Sequence, residues 1–119
     1  MNNLDFLKNN GIDTDSAIEL LGDIETYNET LDDFLIESET RMPDIEKYKD
    51  NGDMDNYSIL VHAMKGDSKY LGFTKLAELS FNHQMESQNG NIDYVNDNYE
   101  ELIGEANRIV SIVKEYLGK

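Results

Sequence analysis

Cysteine is absent from the sequence, which excludes disulfides, thiolate-bound zinc and thiol nucleophiles together. Long apolar runs are absent too. None approaches the roughly 20 residues that a membrane span requires. The opening residues, MNNLDFLKNNGID, carry no basic region followed by an apolar core, so they do not read as a secretory signal. The expected compartment is the cytosol. Basic residues are scarce: ten Lys and Arg face 25 Asp and Glu, for a formal net charge of -15. Nucleic acid needs a concentrated basic surface, and anionic membranes attract the same feature, so both are disfavoured as partners. The acidic excess reads as a solvated outer face.

Proline occurs once, at Pro43, and the apolar residues recur at helical spacing. The chain therefore reads as all-α. A short helix is expected at about Thr14–Leu21, capped by Asp13 or Asp15 and ended by Gly22. A long segment follows through Ile24, Tyr27, Leu31, Phe34, Leu35, Met42 and Ile45, which Pro43 should kink or restart. Asn51-Gly52 marks a turn, and Asp53 can cap the next helix, whose stripe is Met54, Tyr57, Val61, Met64 and Leu71. Gly72 ends it. A further helix runs from Phe73 toward Ser87 with Leu76, Ala77, Ser80 and Phe81 inward. After Asn89-Gly90-Asn91, the last helix repeats Ile92, Val95, Tyr99, Leu102, Ala106, Ile109, Val113 and Tyr116. Four long amphipathic helices on short turns predict an antiparallel up-down four-helix bundle, with the short additional N-terminal helix on one end. At 119 residues, one domain is expected over 1–119, its core bundle spanning about 23–117.

The chemically informative stretch lies around His62. Residues three, four and seven apart share a helix face, so His62, Lys65, Gly66 and Lys69 align, away from the apolar stripe. A glycine in mid-helix costs about 1 kcal/mol relative to alanine, so it calls for a reason beyond the helix itself. Two of the ten basic residues flank one imidazole in a very acidic chain. A neighbouring cation favours the neutral ring, which is a competent nucleophile, and suits an anion that arrives later. Gly66 leaves a gap through which another molecule can approach. His83, the second histidine, is flanked by no comparable pattern and reads as a surface residue.

The run H-A-M-K-G-D-S-K-Y-L-G resembles the histidine phosphotransfer (Hpt) domain, with His62, Met64, Lys65, Gly66, Ser68, Leu71 and Gly72 matching its motif. Asp67 departs from it, standing where the family usually has serine or alanine. The resemblance reaches over most of residues 13–117. It implies a phosphorelay intermediate: His62 takes a phosphoryl group from a receiver-domain phosphoaspartate and passes it to another receiver aspartate. Lys65 would offset phosphoryl charge, Gly66 would admit the partner, and Gln84 on the following helix would hydrogen-bond and orient His62. The implied Mg²⁺ belongs to the receiver, so the chain itself is expected to need no cofactor and to act as a monomeric carrier, not as an enzyme. Ile59 and Tyr70 are candidates for the receiver-docking patch.

Two other classes fit less well. A helical adaptor that binds receivers without carrying phosphate has no need of His62. A metal-dependent or hydrolytic enzyme needs a convergent carboxylate or histidine cluster, and no recognisable ligand spacing occurs.

Overall fold

The computed structural model describes residues 3–119 and, among these, contains six helices and no strand. They are α1 (Leu4–Asn9), α2 (Thr14–Leu21), α3 (Ile24–Asp50), α4 (Met54–Leu71), α5 (Thr74–Gln88) and α6 (Ile92–Leu117). Helix α3 touches α4, α4 touches α5, α5 touches α6, and α6 closes back on α3. Short turns join consecutive members, so neighbours run antiparallel in an up-down bundle measuring 41 × 24 × 21 Å. None of the described helices is long and apolar enough to cross a membrane.

Three of the four long helices start on a side-chain cap, and α5 starts at Phe73 without one. Asp23, Asp53 and Asn91 accept backbone N–H bonds from Thr26, Asn56 and Tyr94 at 2.7, 3.2 and 3.2 Å. Asp13 does the same for α2, through the N–H of Ser16 at 3.2 Å. The core gathers one stripe from each element, including Leu31, Phe34, Tyr57, Val61, Met64, Leu76, Leu102 and Ile109. Burying such a side chain contributes about 1.5–3 kcal/mol relative to leaving it in water.

Helix α1 was not expected from the sequence. Its six residues form one apolar turn and a half on an Asn3 cap, and Leu7 is completely buried where α1 meets α6 and α2. So short a helix has little periodicity to read, and its stability comes from that docking. Pro43 does not restart α3, which runs unbroken from Ile24 to Asp50. The missing N–H leaves the Glu39 carbonyl without its usual donor, but both residues are exposed and water can serve instead.

Gly72 fixes how α2 meets α4. It has φ +82°, and its carbonyl accepts the Asp13 N–H at 2.9 Å. A Cβ there would fall 2.3 Å from the Asp13 carbonyl oxygen, so only glycine fits. The Tyr27 hydroxyl reaches the Leu71 carbonyl at 3.0 Å and satisfies the same helix end from α3. These contacts hold α4 at a fixed rotation, which decides the face that His62 presents.

Helix α5 is rotated by about one position from the sequence reading. Leu76, Leu79, Ser80, His83, Gln84 and Ser87 face inward, Ala77 is half-buried, and Phe81 is 46% exposed. His83, expected at the surface, is only 1% exposed. The physical reason is that both ring nitrogens find partners, so the imidazole can replace a hydrophobe in the core. Nε2 lies 3.1 Å from the Asn98 carbonyl, which can only accept, and Nδ1 lies 2.8 Å from the Tyr57 hydroxyl. Nε2 therefore carries the proton and Nδ1 accepts from Tyr57. Burial lowers the His83 pKa and pushes the Tyr57 hydroxyl well above its usual value, so both stay neutral.

Candidate functional site

His62 is exposed near the middle of α4, on the side opposite the buried residues Val61, Met64 and Ser68. It lines a shallow cleft of about 250 Å³ between α4 and α5, together with Ser58, Ile59, Gln84 and Gln88. Ser58 and Gln88 lie one turn from His62 and Gln84. Their i±4 spacing from those two residues is the sequence signal that places them in the cleft.

Gln84 is buried to 8% exposure, and its Oε1 has no hydrogen-bond partner among the described residues. No hydrogen bond joins it to His62, although the two share the cleft. An unpaired buried carbonyl costs about 1–3 kcal/mol, so this oxygen gains from any donor that turns toward it. A neutral imidazole offers one such N–H.

Lys65 and Gly66 lie one turn beyond His62 and are partly exposed. Lys65 and Lys69 line a hollow of about 350 Å³ with Ala77, Glu78 and Phe81 of α5. On the other side they line a second hollow of about 390 Å³ with Gly66, Tyr70 and Leu20 of α2. A Cβ on Gly66 would have nothing within 4 Å, so the gap is open to solvent and no packing requires it. Ile59, Tyr70 and Leu20 are 63%, 54% and 60% exposed; Ile59 shares the His62 cleft, and Tyr70 and Leu20 flank Lys65 and Gly66.

Asp67 turns away from this face. Five residues past His62 is about 140° round the helix, and its carboxylate meets Arg41 of α3 at 2.8 Å. The Arg41 side chain is 10% exposed and also binds Glu37 at 2.6 Å. Partial burial, and then the nearby Asp67 carboxylate, raise the Glu37 pKa despite that arginine. Nothing in the apolar spacing of α3 indicated Arg41. Its role depends on a carboxylate 26 residues away.

The Hpt domain family model matches residues 29–112, more than half of the chain, so the chain belongs to the Hpt domain family. Comparisons with curated proteins and with solved structures yield no match. The family consists of phosphocarriers of two-component signalling, and its partners are receiver domains.

Proposed function

We propose that this chain is a phosphorelay intermediate in which His62 is the phosphoacceptor. The observation that carries the reading is the exposure of His62 at mid-helix, with Lys65 and the open Gly66 one turn away and Gln84 across the cleft.

The docked receiver presents an aspartyl phosphate over His62. A ring-nitrogen lone pair attacks phosphorus in line, a P–N bond forms, and the P–O bond to the aspartate carboxylate breaks. The carboxylate leaves as an anion, and the phosphorylated ring keeps its other N–H. Oε1 of Gln84 accepts that N–H, which fixes the tautomer and steadies the positive charge gained by the ring. The Lys65 ammonium offsets charge on the phosphoryl oxygens as they move. Gly66 admits the partner, and Ile59, Tyr70 and Leu20 supply apolar docking area. The reverse sequence hands the phosphoryl group to a second receiver aspartate. Mg²⁺ for both directions is supplied by the receiver, and the chain acts as a carrier in the cytosol without kinase activity of its own.

Incubation with a receiver domain phosphorylated on aspartate tests this. Acid-labile, base-stable label should appear on the chain and map to His62, and His62→Ala should abolish it. Receiver binding without label would instead identify a non-phosphorylated adaptor, and label on another residue would refute the assignment.

A further inference from the structure

Lys65 has an unexpected partner. In a chain with 25 acidic residues, its ammonium makes no ion pair and no side-chain hydrogen bond among the described residues. It lies 5.4 Å from the centroid of the Phe81 ring, within the range of a cation–π contact. Phe81 is 46% exposed, although Leu76 and Leu79 on the same helix are buried. Phe81 is not part of the hydrophobic core that α5 helps to form.

We infer that Phe81 is a positioning residue for Lys65, holding its ammonium on the α5 side of the His62 face while leaving its charge uncompensated. The distinction from an ion pair is physical. A carboxylate would restrain the lysine but also cancel the charge that a phosphoryl group needs, and breaking that pair would oppose the reaction. The negative face of an aromatic ring restrains the same ammonium through its quadrupole without adding a counter-charge. A free lysine side chain loses rotamer entropy on fixation, and the ring removes part of that loss in advance. Glu78 lines the same hollow but forms no ion pair with either lysine, so among the described residues no carboxylate competes with the Phe81 ring for the ammonium. This role rests on the proposed phosphotransfer at His62.

The test compares Phe81→Leu, which keeps the apolar bulk, with Phe81→Tyr, which keeps the ring. Both are measured alone and combined with Lys65→Gln, in the full chain with a phosphorylated receiver. The rate at saturating receiver should fall about two- to fivefold in Phe81→Leu, remain near the parent value in Phe81→Tyr, and show no further fall when Phe81→Leu is added to Lys65→Gln. The Lys65 side-chain methylene protons should also show an upfield ring-current shift that Phe81→Leu abolishes, a readout that needs no phosphate. The inference is overturned if Phe81→Leu alters only the half-saturating receiver concentration, if its effect persists in Lys65→Gln, or if the ring-current shift is missing. A parent protein that binds receiver but takes up no phosphate overturns the phosphotransfer reading itself, and this role of Phe81 with it.

Discussion

His62 and Gln84 face one cleft from neighbouring antiparallel helices, yet the amide oxygen of Gln84 is buried without a partner. The cleft thus holds an acceptor waiting for an N–H and a ring able to supply one. Removing the acceptor should cost the fold little, because relief of an unpaired buried carbonyl, about 1–3 kcal/mol, offsets the lost packing of the side chain. Gln84→Ala should therefore melt close to the parent while transferring phosphate several-fold more slowly. In the phosphorylated protein, where the ring N–H is expected on Oε1 of Gln84, the nitrogen chemical shifts of His62 should differ between variant and parent. Unchanged shifts and an unchanged rate would remove Gln84 from the mechanism.

The second histidine yields a pH prediction. His83 is buried between Tyr57 of α4 and Tyr94, Asn98 and Glu101 of α6, and burial lowers its pKa below the ordinary 6.5. The unfolded chain then takes up a proton that the folded chain resists. The stability from neutral His83 is complete above pH 6.5 and declines as pH falls from there through the folded pKa. The histidine contribution is isolated by difference from a variant that lacks the imidazole. His83→Gln should lose about 1–3 kcal/mol at pH 7.5 through the broken network, and the gap from the parent should narrow toward pH 5. A constant gap in chemical denaturation from pH 7.5 to 5 would show that His83 is not held neutral.

Asp67 departs from the family motif, and Arg41 accounts for it. Truncating this carboxylate leaves an arginine side chain at 10% exposure with one remaining carboxylate, Glu37, and with an Nη1 that already lacks a partner. Asp67→Ala should cost about 1–3 kcal/mol but leave transfer unchanged at saturating receiver, since the carboxylate points to α3. Combining it with Arg41→Met should recover much of the loss, because the charge is then no longer stranded. Melts and transfer rates on the two single variants and the double variant check this, and a transfer rate that rises in Asp67→Ala would mean that its charge does reach the site.

How far the site could be read from sequence depended on how local the information was. The helix Thr14–Leu21, the turns at Gly52 and Gly90, and the common face of His62, Lys65 and Gly66 follow from spacing within one element, and the structure agrees with each. The rotation of α5 does not. Phe81 is the more hydrophobic residue, and intrinsic preference puts it inside in place of His83. Only Tyr57 and the Asn98 carbonyl, on two other helices, make the histidine acceptable in the core. Arg41–Asp67 and Lys65–Phe81 are likewise contacts between helices, invisible to periodicity. The six residues of α1 are too few to show a period, and the Asn3 cap is the one local signal of it.

Gly66 and Gly104 provide a matched pair for separating stability from function. Both lie inside helices at ordinary helical φ, and a Cβ on either meets nothing within 4 Å. Alanine at each should therefore stabilise the domain by a similar amount, up to about 1 kcal/mol, by removing the conformational cost of glycine. Gly104 is on α6, diagonally across the bundle from α4, whereas Gly66 lies one turn from His62. Gly104→Ala should leave transfer at the parent rate. Gly66→Ala should slow it, and Gly66→Gln should slow it further without unfolding the protein, because the added bulk stands where the receiver approaches. Stability and function then move apart at one glycine and not at the other, as expected where function opposes local preference. Thermal melts paired with transfer rates for the three variants make the comparison. Full transfer in Gly66→Gln would mean that the opening beside His62 admits no partner.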